Sequence, residues 1–145
     1  MGLFEFLKKK PSENVVVVRP VAVSDFPVED KNGRKALTVR EADIYGVGRS
    51  FGGVSAQDVI SKLNVGDSVV LENSKTGDAV KVFSAEMEQF GFLPEWKDLD
   101  TPKVKYEVRK SLEQGATVLA RVKRKYTNNN GSVGVVIDIC RYASR

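Results

Sequence analysis

Ala116-Thr-Val118-Leu-Ala120-Arg-Val122-Lys-Arg124-Lys-Tyr126, followed by Asn128-Asn-Asn130-Gly131 and then Val133-Gly-Val135-Val-Ile137-Asp-Ile139-Cys-Arg141-Tyr142, reads as two long strands about a turn. Both arms are rich in β-branched and aromatic residues, and the Asn-Gly step between them is a strong hairpin signal. Strand side chains repeat every two residues. That alternation predicts Val118, Ala120 and Val122 on one face and Arg121, Lys123 and Lys125 on the other, with Tyr126 at the strand end.

Working outward, Thr101-Pro102 places an N-cap and a first-turn proline ahead of Val104, Val108 and Leu112, and Gly115 stands where a helix closes. The spacing predicts a helix with that stripe turned inward and Lys103, Lys105, Arg109 and Lys110 facing water. Upstream, residues 68–72 and 79–84 read as paired strands, residues 89–93 as another strand ended by Pro94, and 36–47 as a further one. Ser55-Ala-Gln-Asp58 resembles a capping box, and Ala56, Val59, Ile60 and Leu63 follow at helical spacing. Asn32-Gly33 suits a hairpin tip, and Val15-Val16-Val17-Val18 suits a buried strand. Residues 1–14 read as an N-terminal extension and 15–145 as one domain. With no βαβ alternation and no repeat, the expected fold is mainly β (α+β): a small antiparallel barrel of six or seven strands with two short helices.

Composition narrows the chemistry. The 145 residues include no histidine and one cysteine, Cys140. Ser-His-Asp and Cys-His catalysis are therefore excluded, as is a Cys/His zinc site, and an intrachain disulfide is impossible. A cytoplasmic protein is the expectation. Glu86, Glu88, Glu95, Asp98 and Asp100 form no patterned catalytic pair. The glycines at 46, 48, 52 and 53 lack the Gly-Lys-Ser/Thr of a phosphate loop and read as turn glycines. The chain is expected to be no enzyme and to need no cofactor or metal.

The start, Met1-Gly-Leu-Phe-Glu-Phe-Leu and then Lys8-Lys9-Lys10, is too short to span a membrane, and Phe6 stands where myristoylation wants Ser or Thr. Its apolar side chains instead suggest docking on a partner subunit. Net charge is +4, yet residues 101–126 alone hold eight basic side chains against two acidic ones. Such a concentration predicts a cationic face suited to a polyanion.

One succession of short motifs links these pieces. Ile44-Tyr-Gly46-Val47 leads to Arg49-Ser-Phe51, a capped helix, and Leu63-Asn-Val-Gly66-Asp67-Ser-Val-Val-Leu71-Glu72. Then come Asn73, Asp78-Ala79-Val80-Lys81-Val82, Phe90-Gly91-Phe-Leu93-Pro94, a second helix, Gly115 and Ala120-Arg-Val122. The order resembles the HIRAN domain, over about the last two-thirds of the chain. That family occurs fused to fork-remodelling helicase-like ATPases and as small bacterial and phage-like proteins.

The resemblance implies an OB- or SH3-like barrel that binds single-stranded DNA or its free 3′ end. By the same resemblance Arg49 would meet a phosphate and Phe51 a base, although Phe51 also suits a core position. The family's turn Asn-Pro-Tyr-Asp-x-Asn-Ala is here Asn73-Ser74-Lys75-Thr76-Gly77-Asp78-Ala79. Lys75 thus replaces the stacking tyrosine and Thr76 the aspartate that receives the terminal hydroxyl, leaving a lysine suited to phosphate. Arg121, Lys123 and Lys125 would track a backbone, with Tyr126 as a second stacking ring, or else protect a strand edge from aggregation. Two functions remain open: a nucleic-acid-binding module, and a protein-interaction or homo-oligomerising module that keeps the barrel without the DNA-end pocket.

Overall fold

The computed structural model describes residues 26–94 and 101–144. The expected strand at Val15–Val18 and the N-terminal extension lie outside these residues. In chain order the elements are β1 (Arg40–Asp43), β2 (Ser50–Phe51), β3 (Val54–Ser55), α1 (Ala56–Ser61), β4 (Ser68–Asn73), β5 (Val80–Ser84), β6 (Gln89–Phe92), α2 (Thr101–Glu113), β7 (Val118–Thr127) and β8 (Val133–Arg141). The six-stranded sheet has the order β1-β8-β7-β4-β5-β6, and all its pairings are antiparallel. β2 and β3 form a separate small hairpin whose turn, Gly52-Gly53, has φ of 59° and 83°. Two successive positive φ angles are what a tight hairpin turn demands, which accounts for the paired glycines.

The β7–β8 hairpin is the spine of the sheet. Its loop closes with the Asn128 amide donating to the Ser132 carbonyl at 2.7 Å and the Asn128 side chain donating to the Ser132 hydroxyl at 3.0 Å. Val135, Ile137 and Ile139 of β8 face the core, together with Ala120 and Val122 of β7, Val69 and Leu71 of β4, and Val80 and Val82 of β5. Each of the valine, leucine and isoleucine side chains contributes about 1.5–3 kcal/mol on burial.

Helix α1 adds Ala56, Val59 and Ile60 to this core, and α2 adds Val104 and Val108 with Leu112 at the margin, the stripe the spacing predicts. Ser55 makes no side-chain cap, contrary to the capping-box expectation. The first helical amide, Ala56, donates instead to the Arg49 carbonyl at 2.9 Å. On the opposite face of β8 from Ile137 and Ile139, a second cluster of Phe26, Cys140 and Tyr142 packs with Ala36 and Val39, fixed by the Tyr142 hydroxyl donating to the Pro27 carbonyl at 2.7 Å. Burial pushes the Cys140 thiol above its ordinary range.

Curling brings the two edge strands together. Just beyond β1, Tyr45 pairs with Phe92 at the end of β6: the Tyr45 amide donates to the Phe92 carbonyl at 2.9 Å, and the Phe92 amide to the Tyr45 carbonyl at 2.8 Å. Gly91 makes this seam possible. A Cβ at that position would lie 2.4 Å from Ile44 Cγ2 and 2.6 Å from the Tyr45 carbonyl oxygen, so only hydrogen fits.

Candidate functional site

The seam gathers the first pair of expected site residues. Ile44 is buried, so its neighbours Asp43 and Tyr45 turn outward, and Tyr45 is 53% exposed. The chain then reverses through Gly46, with the Arg49 amide donating to the Gly46 carbonyl at 3.0 Å. Gln57 pins this turn: its Nε2 donates to the carbonyls of Val47 at 2.8 Å and Val133 at 3.0 Å, while its Oε1 accepts the Val133 amide at 2.8 Å. These bonds hold the backbone from which Arg49 projects. Its guanidinium lies 5.3 Å from the centre of the Tyr45 ring, and Nη2 donates to the Tyr45 hydroxyl at 3.3 Å. Phe51 meets Phe92 edge to face at 5.5 Å and an interplanar angle of 77°. Three rings and one guanidinium therefore converge where the barrel closes.

Of these four, sequence reasoning singled out Arg49 and Phe51 and missed Tyr45 and Phe92. Phe51 is half-buried and packs against the core margin, the core position its sequence also suited. The signal that would have found the other two is Gly91, since a glycine forced by close approach marks where a second backbone arrives.

Lys75 and Thr76 are exposed at the tip of the β4–β5 hairpin. The Ser74 hydroxyl donates to the Thr76 carbonyl at 2.6 Å and shapes the tip. Below it the hairpin docks on α2, where Asn73 Nδ2 donates to the Arg109 carbonyl at 3.1 Å and Asp78 pairs with Lys105 at 3.4 Å. Lys105 is thereby buried, which corrects the expectation that it faces water. Arg109 is likewise half-buried and pairs with Glu113 at 3.2 Å.

The β7 stripe is not the uniform row that alternation predicts. A register shift between Val122 and Arg124 leaves Lys123 as an extra residue, and beyond it Arg124 stands opposite Val136 and Lys125 opposite Val135. Such a bulge exchanges the two faces of a strand for everything that follows. Lys125 is therefore on the side of the core residue Val135, away from Arg121. Its Nζ donates to the carbonyls of Ile60 at 3.2 Å and Leu63 at 2.7 Å, covering the C-terminal end of α1. A cation there satisfies orphan carbonyls and the helix dipole.

On the outer face each remaining cation meets an acid or a ring. Arg121 is in register with Asp138 and lies 5.5 Å from the Phe26 ring. Lys123 pairs with Glu41 of β1, and that bond is the main cause of a Lys123 pKa above the ordinary lysine value. Arg124 stacks at 5.5 Å on Tyr126, whose hydroxyl donates to Asp43 at 2.6 and 2.8 Å. Burial, then the Asp43 bond, pushes the Tyr126 phenol up to about 12. The ring reaches Asp43 across Gly134, where a Cβ would lie 2.3 Å from the Tyr126 ring. The cationic face expected from residues 101–126 is thus broken up rather than continuous, because β1 and β8 bring Glu41, Asp43 and Asp138 alongside β7.

Elsewhere a hollow of about 450 Å³ beside α1 is lined by Val59, Leu63, Asp67, Ser84 and Glu88 among others, and it holds none of the expected site residues. Among the described residues no group of three or more metal-ligating side chains gathers, and no helix is long and apolar enough to cross a membrane.

No protein-family model matches the chain. No curated protein matches it. The chain is similar to a solved structure, a structural-genomics target from Lactobacillus plantarum, with a TM-score of 0.52 and 13% identity over 75% of this chain and 99% of that one. At that identity the likeness shows the fold alone: a curled, mostly β architecture.

Proposed function

We propose that the chain is a non-enzymatic nucleic-acid-binding module of the HIRAN type, and that it engages its ligand at the barrel seam. The observation that carries this reading is the exposed Arg49–Tyr45 pair standing at the seam beside the half-buried Phe51–Phe92 pair, with Arg49 Cδ and the Phe92 ring both against Gly46. A cation for phosphate beside rings for bases is the chemistry by which proteins hold single strands. Lys75 at the neighbouring hairpin tip and Lys81, in register with Phe92, supply further positive charge. Arg121, Lys123 and Tyr126 play a smaller part because acids already engage them or their neighbours, and Lys125 acts as a helix cap. The family's 3′-end contacts are absent at Lys75 and Thr76, so the reading is of strand binding without a required terminus.

Fluorescence anisotropy with labelled single strands at low salt tests it. Micromolar or tighter binding is expected, with affinity falling by a log–log slope of roughly 0.7 per phosphate contacted as salt rises. No binding at micromolar protein would dismiss the proposal. A second reading, a protein-interaction or oligomerising module, draws on the paired charges across β1, β8 and β7, an arrangement better suited to a protein surface than to a polyanion. Light scattering showing a stable oligomer, together with an absence of oligonucleotide binding, would favour it.

A further inference from the structure

We infer that Tyr45 is the ring on which a nucleobase stacks, and that Arg49 covers this ring in the free chain and leaves it for a phosphate when a strand arrives. The inference rests on the nucleic-acid reading above and assigns the parts within that site. Phe51 and Phe92 are committed to each other edge to face and are half-buried. Tyr126 is held by Asp43 against Gly134 and carries Arg124 on its face. Tyr45 alone among these four rings is more than half exposed, and its backbone is fixed by two hydrogen bonds to Phe92. A ring that is exposed but anchored presents a flat surface with little ordering still to be done.

That surface already has an occupant. The Arg49 guanidinium lies 5.3 Å from the ring centre, and its 3.3 Å bond to the hydroxyl is long. An exposed cation–π contact favours contact by a factor of about two to five, whereas a base stacked on an aromatic ring gains roughly five- to 150-fold. The base therefore wins the ring. The displaced guanidinium keeps its charge and its fork of donors, which suit a phosphate oxygen better than a phenol. The backbone bonds at Gly46 and Ala56, with the Gln57 side chain on the Val47 carbonyl, keep the root of Arg49 in place, so the exchange is a rotation of one side chain.

The test measures a labelled 12-mer single strand and its abasic counterpart against wild type, Tyr45→Ala, Tyr45→Leu, Tyr45→Phe and Arg49→Gln, each checked for folding by thermal melting. Tyr45→Leu keeps apolar bulk beside Phe92 should the alanine variant fail to fold. Expected results are a roughly five- to 100-fold weaker Kd for Tyr45→Ala and Tyr45→Leu with an unchanged salt slope. Tyr45→Phe should bind at least as well as wild type, since it keeps the ring and frees Arg49. Arg49→Gln should lower the salt slope by roughly 0.7. On the abasic strand wild type and Tyr45→Leu should match. Binding of the intact strand within twofold by both Tyr45→Ala and Tyr45→Leu, with wild type binding well, would overturn the role of Tyr45 and leave the general reading standing. Wild type failing to bind any strand would overturn both.

Discussion

Replacing Gly91 by alanine strikes the contact on which barrel closure depends. The added methyl would lie 2.4 Å from Ile44 Cγ2 and 2.6 Å from the Tyr45 carbonyl oxygen. Ile44 is a core residue at 4% exposure, and the oxygen is backbone that already accepts the Phe92 amide at 2.8 Å, so neither can swing aside as an exposed side-chain tip would. Overpacking of this kind costs about 1–3 kcal/mol. Separating the strands enough to relieve it sacrifices the reciprocal Tyr45–Phe92 pair, at about 0.5–1.5 kcal/mol for each hydrogen bond. Either route costs about 1–3 kcal/mol, which for a chain of this length lowers Tm by roughly 3–12 °C. Urea and thermal unfolding followed by circular dichroism measure it, with Gly48→Ala, whose Cβ meets nothing within 4 Å, as the control expected to stay near wild type. A Gly91→Ala stability within 0.5 kcal/mol of wild type, on the order of the effect of an ordinary surface substitution, would refute the claim that the seam requires a glycine.

Two further outcomes are expected. Tyr126 and Tyr142 both have phenols raised to about 12, chiefly by burial, so the folded chain keeps protons that the unfolded chain loses near 10. Stability from these groups is complete below pH about 10 and drains away as pH climbs toward 12. Phenolate absorbance should show Tyr126 and Tyr142 ionising late, and Gly134→Ala, by pushing the ring off Asp43, should bring Tyr126 down toward 10; an unmoved titration would contradict this packing. Lys125→Met should cost about 1–2 kcal/mol by stripping the carbonyls of Ile60 and Leu63 of their donor and should leave oligonucleotide affinity unchanged, which a combined urea and anisotropy measurement checks.

Much of the architecture was legible because its signals are local. The Asn-Gly hairpin at the chain's end, the valine stripe of α2, the α1 spacing and the β4–β5 pair all appear where the residues predict them. What escaped was long-range. Alternation along β7 assumes an unbroken strand, and nothing in Val122-Lys123-Arg124 announces an extra residue. The local count of cations from 101 to 126 ignores acids brought alongside by other strands, and the α2 spacing that put Lys105 in water ignores Asp78 of the β4–β5 turn, against which it lies buried. Gln57, seventy-six positions from Val133, is an ordinary helix-face glutamine in the sequence and a three-bonded tie in the fold. The candidate site was half legible: Arg49 and Phe51 were found from the resemblance, whereas Tyr45 and Phe92 emerge only once two distant backbones meet at Gly91.

The irregularity at Lys123 carries a lesson about mutation by length. Deleting that one residue would leave Val122, Arg124 and Lys125 on their present partners Ile137, Val136 and Val135, a regular ladder in which every later side chain keeps its face and only the Lys123–Glu41 pair is lost. The same loss one or two positions further along, where the ladder is regular, would turn every later side chain to the opposite face, so the bulge is the one place where this strand tolerates a change of length.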